Sequence, residues 1–242
     1  KFHELFRDFT GRDVLNLEQA DEPALAQFLQ DHGTVFAKPI DDYGGHGVRK
    51  ICADQVEDVS ALYRELKESG SVLVEEQIVQ HPDLDKLNPS CINTIRMVTL
   101  LANGEAHHMY SLIRVGNGQG VVDNISSGGM YAPVWEDGKI ARPAFCDATG
   151  VYYDKHPLTK VPFVSFTIPC YDEAVELVKR AALVVPQVGY VGWDVSISEK
   201  GPVLVEGNVI PGYDMCQNYF HLRDNKTGIL DEFRRLRPEL QH

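Results

Sequence analysis

Alternation along the chain divides it into a helix-containing first third and a strand-rich remainder. From Asp21 to Gly33 the apolar positions Ala24, Leu25, Phe28 and Leu29 fall on one helical face, with Asp21 as cap and Gly33 as stop. Thr34 to Lys38 and Val48 to Cys52 read as short strands around a polar glycine-rich loop. A helix from Glu57 to Ser69, with Val59, Leu62, Tyr63 and Leu66 on its stripe, precedes a strand at Val72 to Ile78. Then the period shortens to two. Ile95 to Leu101 and Glu105 to Arg114 predict a hairpin turning at Ala102-Asn103-Gly104. Further strands are expected at Gly120 to Ile125, Tyr131 to Trp135 and Lys139 to Ala144, the last two joined by a turn at Glu136-Asp137-Gly138. Asp172 to Val185 predicts an amphipathic helix capped by Asp172. A second hairpin, turning at Glu199-Lys200-Gly201, follows, and a tail helix is expected from Gly228 to Arg235. Strands grouped apart from helices give an α+β class with mostly antiparallel sheets.

The second hairpin carries the candidate chemistry. Side chains two apart on a strand share a face, so Glu206 and Asn208 project together while Val205 and Gly207 point away. If the hairpin pairs Asp194 beside them, three hard oxygen donors converge as a magnesium site that bridges phosphates. The same pattern also describes an acidic strand end facing water. Arg96 and Arg114 lie in otherwise apolar strands, where an inward guanidinium demands an anion. A phosphate, a substrate carboxylate or a structural salt bridge would each meet that demand.

Composition narrows the field. The 242 residues, 43% hydrophobic and 24% charged, fit one large or two small globular domains. A net charge of −12 supplies no basic stripe for a nucleic-acid backbone. An anionic nucleotide would therefore be held by local cations and amides. Five scattered cysteines without CxxC spacing suggest reduced thiols and a cytoplasmic setting. No apolar run reaches the length of a membrane span, and no signal peptide is seen.

Taken in order, these segments resemble the ATP-grasp superfamily, which includes glutathione synthetase and D-alanine–D-alanine ligase. Asp194, then Glu206-Gly207-Asn208 and Pro211-Gly212, is similar to its metal-binding end. Phe36-Ala37-Lys38-Pro39 with Gly44-Gly45-His46-Gly47 is similar to its nucleotide lysine and glycine flap. Glu75-Glu76-Gln77-Ile78 is similar to the strand that carries the adenine. Within the superfamily the chain most resembles the sugar-transfer-associated ATP-grasp group, through Asn93-Thr94-Ile95-Arg96, Val122-Asp123-Asn124 with Ser127-Gly128-Gly129, and His156-Pro157-Leu158-Thr159.

The resemblance implies two α+β subdomains gripping ATP between them, residues 34–80 as lid and 81–242 as metal-binding part. An N-terminal helical segment, 1–33, would precede them, and a further small domain before Lys1 would be missing. It implies ATP with magnesium, two ions, or manganese in its place. Lys38, Gly44, Gly45, His46, Gly47, Glu75, Glu76, Gln77, Ile78 and Asp83 would hold the nucleotide. The base would be read by the main chain of Glu76 and Ile78, the ribose by Asp83 or Asp85, with Asp83 preferred. Asp194, Glu206 and Asn208 would hold metal, with Arg114, Arg96 and Asn124 assigned to catalysis. The implied reaction activates a carboxylate as an acyl phosphate and joins it to an amine, with sugar-linked substrates of a glycan pathway. A kinase acting on a hydroxyl, or a nucleotide-binding subunit without turnover, are the alternatives.

Two departures from the relatives stand out: Asp123 replaces part of an arginine pattern, and Gly192 replaces an arginine before the metal aspartate. Residues 153–168, with His156, Thr159 and Lys160, form a polar loop suited either to acceptor specificity or to plain connection.

Overall fold

A computed structural model describes residues 2–40, 47–117, 128–224 and 226–240. Gly44, Gly45, His46, Asp123, Asn124 and the strand expected at 120–125 lie outside the described residues. The chain forms two units, residues 11–79 and residues 1–10 with 80–242. The helical segment expected at 1–33 is therefore divided. Two short turns, α1 (Phe2–Leu5) and α2 (Arg7–Thr10), belong to the larger unit through Phe6, whose ring meets Trp193 edge-on at 5.3 Å.

The smaller unit contains β1 (Val14–Asn16), α3 (Glu22–His32), β2 (Thr34–Lys38), β3 (Arg49–Cys52), α4 (Val59–Glu68) and β4 (Leu73–Glu76). Its antiparallel sheet has the order β1-β4-β2-β3. Asp21 caps α3 by accepting from the Ala24 amide, and Gly33 ends it at φ 67, a conformation that costs glycine nothing. Asp58 caps α4 in the same way through Ala61. Leu25 and Leu29 of α3 and Leu62 and Leu66 of α4 bury against Val35, Ala37 and Val74 of the sheet.

The larger unit follows with α5 (Pro82–Asp85), β5 (Ile95–Ala102), β6 (Glu105–Val115), β7 (Met130–Val134), β8 (Ala144–Cys146), β9 (Val151–Tyr153), α6 (Tyr171–Ala182), β10 (Tyr190–Ser198), β11 (Gly201–Asn208) and α7 (Leu230–Leu236). Among the described residues its seven strands are ordered β11-β10-β5-β6-β7-β8-β9, and every adjacent pair is antiparallel. Asn103 and Gly104 turn the β5–β6 hairpin with positive φ at both positions.

Alternation settles which face is core. Met97, Ile113, Val191, Trp193 and Val195 join Ala174, Leu177, Val178 and Ala181 of α6 in one buried cluster. Arg96, Arg114 and Asp194 occupy the intervening positions, and so the opposite face.

Two expected elements differ. No continuous strand spans Lys139 to Ala144; isolated bridges join Ile140 to Val134 and Lys139 to Thr167, and the strand forms at Ala144–Cys146. Pro143 lies in that stretch and has no amide to donate to a ladder. Asp172 lies within the first turn of α6, and Cys170, at φ 51, takes the cap position.

Candidate functional site

Register brings the expected residues of the second hairpin together. Asp194 stands opposite Glu206, and Gly192 opposite Asn208. A bulge follows, because Val195 pairs with Leu204 and Val205 is the extra residue. On its other side Asp194 faces Arg96 of β5, and Arg96 faces Leu112 of β6. Directly opposed residues project to the same side, so one row runs Glu206, Asp194, Arg96, Leu112 across four strands.

Asp194 is fully buried and is held by two guanidinium groups. Arg96 Nε donates to Oδ1 at 2.5 Å and Arg96 Nη2 to Oδ2 at 3.1 Å. Arg114 Nη2 lies 2.9 Å from Oδ2. Burial opposes ionisation of this carboxyl, yet the Arg114 and Arg96 charges outweigh it and hold Asp194 well below the usual carboxylate range. The anion that an inward arginine demands is thus supplied, for both arginines, by Asp194.

The remaining bonds distinguish the two arginines. Arg96 also donates from Nη1 to the Pro211 carbonyl at 3.0 Å, tying the loop after β11 to the sheet. Arg114 places Nε and Nη2 on Thr94 Oγ1 at 2.9 and 2.8 Å. Thr94 lies inside the Asn-Thr-Ile-Arg motif, where its residue type alone carries no signal; only the register, which sets it beside Arg114, reveals its part. Gly192 has a steric reason to lack a side chain. A Cβ there would stand 2.3 Å from Pro211 Cβ and 3.1 Å from Arg96 Cδ.

Glu206 is exposed as a residue, but its carboxyl end is crowded. Burial, and then the hydrogen bond and negative charge of Asp194, push its pKa up. Asn208 Nδ2 donates to Glu206 Oε1 at 3.0 Å, which fixes the amide orientation and leaves its carbonyl oxygen as an acceptor. Two carboxylates and an amide oxygen are the donor set a hard divalent cation selects. A pair of carboxylates in contact, one with its pKa raised, gains most from a cation between them. The residues fit magnesium.

In the smaller unit, Lys38 Nζ lies 2.6 Å from Glu75 Oε1. Arg12 grips the same buried carboxylate through Nε at 3.2 Å and Nη2 at 3.1 Å. Arg12 sits in a segment with no periodic pattern, and nothing in the sequence marked it. Of the Glu76 main chain, expected to read a base, the amide donates to the Asp13 carbonyl at 3.0 Å, just before β1. Gln77 and Ile78 follow β4 as half-buried coil, and Gly47 adopts φ 76 at the entry to β3. Asp83 lies on α5 in the larger unit, half-buried and 2.5 Å from Lys86 Nζ.

In the polar loop, His156 is fully buried. Its Nε2 contacts the Gly116 carbonyl at 2.9 Å, and its Nδ1 accepts from the Leu158 and Thr159 amides. Thr159 Oγ1 donates to the Leu87 carbonyl at 2.8 Å. These two side chains anchor the loop.

The sequence profile described as sugar-transfer associated ATP-grasp matches residues 15–223. The chain belongs to this family. Among solved structures, ATP-grasp ligase PsnB in complex with a minimal precursor superposes with a TM-score of 0.51 at 18% identity, covering 92% of this chain and 54% of that one. D-cycloserine synthetase DcsG gives 0.49 at 13% identity over 94% and 65% of the two chains. D-alanyl-alanine synthetase A from Vibrio cholerae gives 0.47 at 14% identity over 86% and 52%. The chain thus spans about half the length of the first of these structures, and the likeness to it establishes the ATP-grasp fold. No curated protein matched the chain. Among the described residues, no helix is long and apolar enough to cross a membrane.

Proposed function

We propose that this chain is the nucleotide-binding and phosphoryl-transferring part of an ATP- and magnesium-dependent ligase that joins a carboxylate to an amine. The observation that carries the reading is the row Glu206–Asp194–Arg96, with Asn208 beside Glu206 and Arg114 beside Asp194, in a member of an ATP-grasp family. Asp194, Glu206 and Asn208 would hold magnesium. When bound, the ion neutralises phosphate charge and aligns an in-line transfer. Lys38, beside Glu75, is the cation offered to the nucleotide phosphates in the smaller unit, and the glycines at 44, 45 and 47 supply amides.

A carboxylate oxygen of the acid attacks the terminal phosphorus, and the bond to ADP breaks. Arg114, oriented by Thr94, stabilises the charge that builds on the transferring group. Arg96 fixes the Asp194 carboxylate and does not leave it. The amine nitrogen then attacks the acyl carbon, phosphate departs, and the nitrogen releases its proton to water. The family description supports a sugar-linked substrate in glycan assembly.

Hydroxylamine in place of the amine tests the reading. With ATP, magnesium and a panel of acids, the protein is expected to release ADP and form a hydroxamate. ADP release without hydroxamate would indicate a hydroxyl acceptor and overturn the ligase reading.

A further inference from the structure

The larger unit contains a cavity of about 300 Å³ that the reaction above does not use. One side is formed by β6, from His108 to Leu112, and by Pro133; the other by the chain between Met215 and Glu232. Leu112 and Pro133 stand opposite each other and extend the row Glu206–Asp194–Arg96 by two strands. Part of its wall, Leu112 and Pro133, therefore stands on the same sheet face, one cross-strand neighbour from Arg96 and two residues along β6 from Arg114, while Ser111 and Tyr171 reach it from the α6 side. Its volume is that of a small-ligand pocket.

Its polar lining is rich in acceptors. The charged groups are Glu136 and Glu232 against Arg223. Arg223 is engaged by Glu136 and stacks on the Trp135 ring, 4.9 Å from its centroid, while Glu232 also pairs with Arg235. His221 is 4% exposed. Its Nε2 meets the Pro143 carbonyl at 2.9 Å, so that nitrogen carries the proton. Its Nδ1 is then an acceptor, and it is buried without a hydrogen-bond partner among the described residues. Burial lowers the pKa of both His221 and His108 to about 4, so neither adds positive charge. His108 Nε2, Ser111 Oγ and the Tyr171 hydroxyl form a closed neutral chain, with contacts of 2.8 and 3.0 Å. The orphaned buried acceptor, His221 Nδ1, calls for a ligand that brings a donor, and the two ion-paired carboxylates set the charge which that ligand meets.

We propose that this cavity binds an amine-bearing small molecule of about monosaccharide size, which is the nucleophile of the ligation. The assignment as nucleophile rests on the ligase reading; the binding chemistry does not. An ammonium and hydroxyls satisfy His221 Nδ1 and the carboxylates together, while an anion would meet Glu136 and Glu232.

Three probes with one ring and different charge separate these cases: D-glucosamine, D-glucose and D-glucuronate. Each is titrated into the full chain without nucleotide or metal, with binding read by saturation-transfer NMR and calorimetry. Glucosamine is expected to bind about tenfold more tightly than glucuronate, with glucose between them. Glu136→Gln, on an exposed residue, is expected to cut that preference to about twofold. Met109→Trp, filling the cavity, should abolish binding of all three while retaining the thermal midpoint and MgADP affinity. Failure of all probes to bind, glucuronate binding as tightly as glucosamine, or an unchanged preference in Glu136→Gln would each overturn the proposal. Because nucleotide is absent, the result stands apart from the hydroxamate assay: glucosamine bound without any hydroxamate would sink the ligase reading and leave the site.

Discussion

Asp194 shows how one carboxylate can serve two partners. Burying it alone would be costly, and two guanidinium groups on its oxygens remove that cost while leaving lone pairs for a cation. Asp194→Ala is consequently a poor probe of metal binding, since it strands Arg96 and Arg114 in the interior at about 3–5 kcal/mol. Thr94 offers a cleaner one. Thr94→Val keeps the shape and removes the acceptor of both Arg114 bonds. It should lower the rate of ADP formation about tenfold and leave nucleotide affinity unchanged, as measured by coupled assay and calorimetry. His108 and His221 set a separate pH response. Their folded pKa of about 4 lies below the unfolded value near 6.5, so the unfolded chain takes up protons first as pH falls. Stability should therefore hold above pH ~6.5 and decline toward pH ~4, at up to about 1.4 kcal/mol per unit for each group. Denaturant melts of His221→Gln should show a shallower decline than those of the parent chain.

At the scale of elements, the β10–β11 hairpin joins the proposed metal site to the loop that follows it. Arg96 holds the Pro211 carbonyl, the Tyr110 hydroxyl donates to the Gly212 carbonyl at 3.2 Å, and Gly192 leaves the room that Pro211 occupies. Gly192→Ala should displace this loop at a cost of about 1–3 kcal/mol. Faster amide exchange confined to residues 209–216 would register it. Much of this was legible in the sequence. Period-two spacing placed Glu206 and Asn208 on one face, and apolar strands around Arg96 and Arg114 demanded an anion. Strand pairing was not legible, and it alone sets Asp194 between Glu206 and Arg96 and Thr94 beside Arg114. The strand expected at 139–144 failed for a local reason, the proline at 143, and the α6 cap shifted because Cys170 turns the chain into the helix. Arg12 and Glu75 meet only through the β1–β4 pairing, 63 residues apart in sequence, which no local pattern encodes.

Across the whole molecule, cations are gathered in each of the two units. With a net charge of −12, the chain can hold a nucleotide only where cations are fixed in place. Lys38 and Arg12 are gathered around Glu75 in the smaller unit, and Arg96 and Arg114 around Asp194 in the larger. Each cluster is held by a buried carboxylate, so the cations are oriented before any substrate arrives. The central claim is that Asp194, Glu206 and Asn208 bind the cation that carries the nucleotide. Calorimetric titration of ADP with and without magnesium, on the parent chain and on Glu206→Gln with Asn208→Leu, tests it most directly. The account predicts that magnesium strengthens ADP binding by at least about tenfold in the parent and has no effect in the folded double variant. An equal magnesium enhancement in both proteins would contradict it.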